Sequence, residues 1–157
     1  MTSEQLREFL APLPEGLALL DFDAACLLDA KHDRGEWTLE IAPAAIRRTA
    51  EFLRSKCGYR MLSNATAVDW YPSEPRFEVV YHLVCHEHKT RLRLKCRIEG
   101  DAPQIDSVAS VWSSADWFER EIFDLFGIRF AGHPDLRRLL LPDGWEGHPL
   151  RKDYPVT

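Results

Sequence analysis

Two short segments of this chain alternate apolar and polar residues so regularly that the backbone has little choice. In Phe77-Glu78-Val79-Val80-Tyr81-His82-Leu83-Val84-Cys85 every odd position is apolar. In Arg91-Leu92-Arg93-Leu94-Lys95-Cys96-Arg97-Ile98 every even position is apolar and every odd one is basic. A two-residue period is that of a strand with one buried face. A loop at His86-Glu87-His88-Lys89 pairs Cys85 with Thr90 in an antiparallel hairpin. That register sets Leu83 against Leu92, Tyr81 against Leu94, Val79 against Cys96 and Phe77 against Ile98, with Glu78 facing Arg97 on the other side. A slip of one residue would bury the whole basic row, so the register is strongly specified.

Helical signals flank the hairpin. Ser3 is placed to cap a short helix whose apolar face is Leu6, Phe9 and Leu10, and Leu17 to Phe22 is a short apolar run. Trp37, Leu39 and Ile41 alternate as a half-buried strand does. Pro43 suits a first helical turn; Ile46, Ala50, Leu53 and Cys57 then recur at helical spacing, and Gly58 stands just past the end. Met61 to Trp70 reads as a further strand, and Gly100 to Ser113 as a connection. Ser113 or Ser114 then caps a helix with Asp116 and Glu119 in its early turns, an apolar face of Trp117, Phe118, Ile122, Leu125 and Phe126, and Gly127 as its stop. The expected fold is α+β: a small, mainly antiparallel sheet with packed helices, followed by a C-terminal helix and an extended Pro/Gly-rich tail. The expected division is a globular unit over 1–112 and a helix with a docking tail over 113–157.

Composition removes several functions. At 157 residues the chain is long enough to bury a sizeable core. A net charge of −5 speaks against nucleic acid as a partner. No apolar run approaches the ~18–20 residues of a membrane helix, and the N-terminus lacks a signal pattern. The expectation is a cytosolic chain that meets a membrane only through partner proteins. Cys26, Cys57, Cys85 and Cys96 show no metal-ligand spacing and read as small buried hydrophobes. His86-Glu87-His88 lies at a hairpin tip and reads as solvated loop; the basic row Arg91, Arg93, Lys95, Arg97 reads as a solvated face, or one covered by acids of the same chain.

Glu119, Glu121 and Asp124, with His133 and His148, could suggest acid–base chemistry, but no nucleophile, phosphate loop or nucleophile elbow accompanies them. Interleaved with Arg120, these carboxylates read as ion-pair partners of nearby arginines, in this chain or another. Gly-His-Pro recurs at Gly132 and Gly147 as two similar turns. In the tail, Asp135, Asp143, Glu146 and Asp153 nearly balance Arg129, Arg137, Arg138, Arg151 and Lys152, among Phe130, Leu136, Leu139, Leu140, Leu141, Trp145, Leu150 and Tyr154. Such a segment folds back on its own core, wraps a neighbour, or does both.

The run Ser114-Ala115-x-Trp117-x-Glu119-Arg120-Glu121-x-x-Asp124-Leu125-Phe126-Gly127-Ile128-x-Phe130-x-Gly132-His133-Pro134-Asp135-Leu136-Arg137-Arg138 resembles the signature of the 30 kDa subunit family of respiratory complex I, in bacteria the C subunit of NADH-quinone oxidoreductase. Pro142-Asp143-Gly144-Trp145-x-Gly147-His148-Pro149-Leu150-Arg151-Lys152-Asp153-Tyr154-Pro155 fits the same family. The resemblance implies a non-catalytic assembly subunit in the hydrophilic arm of a proton-translocating NADH dehydrogenase, peripheral on the cytoplasmic side of the bacterial inner membrane. FMN, iron–sulfur clusters and quinone would sit in partner subunits, and this chain would hold none. Its implied partners are the large quinone-cavity subunit and the cluster-bearing subunits. The resemblance gives Glu119, Arg120, Glu121, Arg137 and Arg138 structural and interface roles; the same role is expected of Asp124, His133, Trp145, His148, Arg151, Lys152, Asp153 and Tyr154. The matching subunit of a ferredoxin-, F420- or hydrogenase-linked membrane complex is one alternative, and a small enzyme using Glu121, His133 or His148 another.

Overall fold

A computed structural model describes residues 1–156; Thr157, the last residue of the expected tail, lies outside them. Helix α1 (Ser3–Phe9) is capped by Thr2 rather than Ser3, because Thr2 and Gln5 form a reciprocal capping box with each other's backbone N–H. Helix α2 (Pro14–Phe22) absorbs the apolar run Leu17 to Phe22 and opens on Pro14. Strands β1 (Leu27–Asp33) and β2 (Glu36–Ile41) follow, then a 3-10 turn at Pro43–Ala45 that leads into α3 (Ile46–Cys57). Gly58 ends α3 at φ +77°, a left-handed conformation open to a residue without Cβ.

Strands β3 (Met61–Asp69), β4 (Phe77–Cys85) and β5 (Thr90–Ile98) complete a five-stranded sheet of order β1-β2-β5-β4-β3. All its pairs are antiparallel except β2 with β5. The β4–β5 register is the one that alternation specified, from Phe77 opposite Ile98 to Cys85 opposite Thr90. The apolar alternates of both strands enter one core with Leu6, Leu10, Leu19, Ile46 and Leu53 of the helices, and Cys26, Cys85 and Cys96 are wholly buried in it. Three of the four residues in the basic row are matched by the chain's own acids: Arg93 pairs with Glu36 at 2.8 Å, and Lys95 and Arg97 approach Glu78 at 3.0 and 3.8 Å.

The expected connection over 100–113 holds a short strand, β6 (Gln104–Asp106), parallel to β7 (Arg129–Ala131) beyond the last helix. Three-residue strands carry too few alternations to register as a period. Between them runs α4 (Ala115–Phe126), whose Ile122 and Phe126 join the same core and which ends on Gly127 at φ +74°. Ser114 stands at its N-cap without capping it; the hydroxyl instead donates to the Leu62 carbonyl of β3 at 2.9 Å. That bond ties the start of α4 to the sheet edge. Beyond β7, residues 132–156 form turns and bends, a strap laid back over α4 and the β3–β4 corner.

Candidate functional site: the strap and its anchors

The strap is fastened mainly by two buried carboxylates. Asp124, 0 % exposed, lies on the side of α4 beneath the strap. Its Oδ2 accepts the N–H groups of Leu139, Leu140 and Leu141 at 3.1, 2.8 and 2.9 Å, and its Oδ1 accepts Arg138 Nη1 at 2.8 Å. Burial pushes this carboxyl up, but those N–H groups and the Arg138 guanidinium hold it below the usual range. Arg138 Nη2 donates to the Trp145 and Gly147 carbonyls, so one ion pair organises the bend from 138 to 147. Arg120, on the same helix, donates to the carbonyls of Arg137 and Arg138.

The second anchor is Asp69, at the end of β3. Arg76 grips both of its oxygens at 2.8 and 2.9 Å, then reaches Asp153 of the strap at 2.7 Å. The Lys152 N–H adds a bond to Asp69 at 2.8 Å. Burial raises Asp69, yet Arg76 and the Lys152 and Tyr71 N–H groups bring it down to about 2. Nothing in the sequence singled out Asp69 or Arg76, because the partners lie 77 and 83 residues away and leave no local pattern. Arg151 closes the gap between the anchors, donating to the Phe126 carbonyl at 2.6 Å and lying over the Phe77 ring.

The two Gly-His-Pro turns are alike, with Gly132 at φ +82° and Gly147 at φ +80°. Their histidines hold opposite ends of α4: His133 meets the Asp116 carbonyl at 3.1 Å and His148 the Asp124 carbonyl at 2.9 Å. The His148 ring and the Arg151 guanidinium lie directly over Gly127, where a Cβ would fall 2.6 and 2.7 Å from them. Glu121 points outward and is exposed, so the fold does not gather Glu121, His133 and His148 into one catalytic group.

The expectation that the α4 carboxylates pair with arginines holds for Asp124 and fails for Glu119. Glu119 is fully buried and accepts Ser107 Oγ and the Val108 N–H. Its position turns it inward, under the loop leaving β6, where no arginine of the described residues reaches it. Among the described residues the Arg137 guanidinium pairs only with its neighbour Asp135, and both are exposed. No cluster of histidine, cysteine or acid among the described residues has the arrangement of a metal site.

What the strap leaves outward is large and apolar. Trp117 is 59 % exposed, Leu140 63 %, Leu150 52 % and Trp145 42 %, and exposed aromatic rings continue past the second anchor at Tyr71 and Trp70. Arg120 lies over the Trp117 ring, Arg76 over Tyr71 and Arg97 over Trp70.

Residues 39–157 match the family described as the respiratory-chain NADH dehydrogenase 30 kDa subunit. A relative from Geobacter sulfurreducens, the C subunit of NADH-quinone oxidoreductase, is 47 % identical over 85 % of this chain and 83 % of its own length. One of the same name from Roseiflexus is 42 % identical over 83 % and 76 %. Among solved structures, the trypsin-resistant fragment of Nqo5 superposes with a TM-score of 0.60 at 29 % identity, over 69 % of this chain and 89 % of that one. A chain of the membrane-bound sulfane sulfur reductase, an archaeal respiratory membrane complex, superposes with a TM-score of 0.74 at 26 % identity, over 88 % and 82 %. This chain belongs to the family of the 30 kDa subunit of respiratory-chain NADH dehydrogenase.

Proposed function

We propose that this chain is a non-catalytic assembly subunit of a proton-translocating NADH:quinone oxidoreductase, and that residues 113–157 are its docking element. In the assembled enzyme, electrons pass from NADH through FMN and iron–sulfur clusters in other subunits to quinone. The chain braces the quinone-cavity and cluster-bearing subunits against one another. Its place is peripheral, on the cytoplasmic side of the inner membrane, reached through its partners. No helix of the described residues is long and apolar enough to cross a membrane.

The observation that carries this reading is the set of exposed apolar side chains, Trp117 on α4 and Leu140, Trp145 and Leu150 on a strap already pinned to it by Asp124 and Asp69. Tryptophan and arginine on a surface fixed before binding lose little entropy on docking and are the residues that dominate interface energies. Arg137, Lys152 and Tyr154 lie along the same strap and are assigned to its contact with the large subunit.

Purification of the tagged chain from its host in mild detergent is expected to recover the other hydrophilic-arm subunits. Replacing Trp117 and Leu140 together by alanine should abolish that recovery while leaving the thermal midpoint of the isolated chain within a few degrees. A lone chain from the unmodified strain would sink the proposal. The likeness to the sulfane sulfur reductase chain supports one second reading, the equivalent place in a related membrane complex with another electron donor. Co-purification of a flavin-bearing NADH module separates the two.

A further inference from the structure

Beneath α4 lies a group of polar side chains that the docking role does not use. Glu119 is 0 % exposed, and the side chain of His133 is buried with its Nε2 3.9 Å from Glu119 Oε2. Ser107 Oγ donates to Oε2 at 2.6 Å, and the Val108 N–H donates to Oε1 at 2.7 Å. Four elements face this carboxyl. Its own helix presents Asp116, the end of β6 presents Ser107 with Asp106 beside it, the turn after β7 presents His133, and β4 presents Tyr81. No arginine or lysine of the described residues is among them.

Hydrogen-bond geometry settles where a proton can go. His133 Nδ1 accepts the Asp135 N–H at 3.0 Å, so the one proton of its ring sits on Nε2, toward the Asp116 carbonyl at 3.1 Å and Asp116 Oδ1 at 3.3 Å. The Tyr81 hydroxyl is fully buried and has no hydrogen-bond partner among the described residues. Burial, and after it the charges of Cys96, Glu119 and Asp106, push this hydroxyl well above its usual range, so it stays protonated.

Glu119 is the fully buried carboxyl of this group, while Asp116 and Asp106 are only partly buried. As a carboxylate it accepts from Ser107 and Val108. The Ser107 oxygen in turn accepts the Ala109 N–H at 3.1 Å, which holds the hydroxyl in place as a donor to the carboxylate. We infer that Glu119 is a proton-binding site of this chain, a fully buried carboxyl held by Ser107 and Val108 with no arginine or lysine of the described residues beside it. Burial, outweighing the bonds from Ser107 and Val108, lifts Glu119 to about 7, so both forms are populated near neutral pH. Proton occupancy sets the charge under the loop that leaves β6 and under the turn where the strap begins.

The test follows the side-chain carboxyl resonances of the full chain, labelled with carbon-13 at glutamate, from about pH 4 to about pH 9. One glutamate carboxyl is expected to titrate near neutrality, and its resonance should vanish in Glu119→Gln. If that variant does not fold, Ser107→Ala serves. Loss of a donor to the carboxylate should move the same midpoint upward by several tenths of a pH unit or more. A neutral-range titration that survives Glu119→Gln, or a midpoint unmoved by Ser107→Ala, overturns the proposal. So does a wild-type chain in which every glutamate titrates in the ordinary acidic range.

Discussion

In the β4–β5 hairpin nine consecutive residue pairs are joined through the backbone ladder, with apolar side chains closing one face. Among the described residues the strap makes a single backbone bond to α4, Leu150 N–H to the Leu125 carbonyl at 3.0 Å, and its other ties run through side chains, Asp124, Asp69, Arg138 and Arg76 first, with Arg120, His133, His148 and Arg151. The first region is held by burial and by bonds every residue can make. The second is held by a few charged side chains bonded to backbone. A fastening of that kind concentrates its energy in few residues, and it responds to pH and to single substitutions in ways that a ladder does not.

The sharpest way to break this contrast is Asp124→Ala. It strips three N–H groups and the Arg138 guanidinium of their acceptor, and removing one partner of a buried pair costs ~3–5 kcal/mol. Denaturant titration should show that loss, and proteolysis should cut the strap under conditions where the sheet stays intact. Leu94→Ala in β5 should cost a comparable ~2–5 kcal/mol by leaving a cavity, with no selective release of the strap. If both variants expose the strap equally, the two regions are not separately held.

Acid offers a gentler separation. Asp69 is held at about 2, below its value in an unfolded chain, so its contribution is complete above the unfolded pKa and disappears as pH falls toward 2. The gap is worth ~2 kcal/mol, and lowered Asp124 and Asp153 carboxyls act in the same direction. Tryptophan fluorescence and amide exchange between about pH 5 and about pH 2 should therefore report release of the strap before the sheet opens. Simultaneous loss of both would contradict this. The smallest effect is expected at Arg137→Ala: the Arg137–Asp135 pair is exposed on both sides, and its loss should change stability by less than ~0.5 kcal/mol. A larger drop would show the pair to be part of the anchor.

The same contrast explains what could be read from the sequence. The hairpin register followed from alternation, and Gly58 and Gly127 marked helix ends because a left-handed residue there needs no Cβ. The α4 face was visible in its spacing. By contrast, Thr2 capped α1 in place of Ser3 through a box with Gln5 that local spacing already held, while Ser114 gave its hydroxyl to β3, a choice set by a three-dimensional neighbour. The β6–β7 pair was too short to show a period. Glu119 looked like an arginine partner because spacing cannot tell which side of α4 meets the β6 loop. Asp69 and Arg76 had no signal, since their bond to residues 152 and 153 spans half the chain. The functional assignment rested on a long, specific block of residues rather than on any one chemical group.

Gly127 makes two requirements one. The same missing side chain that lets α4 stop also leaves the floor on which the His148 ring and the Arg151 guanidinium rest. Even a methyl group there would be a wedge as well as a strain, prising up the strap while distorting the end of the helix. The helix terminus and the seat of the tail therefore cannot be altered separately: drift at position 127 would take the strap with it.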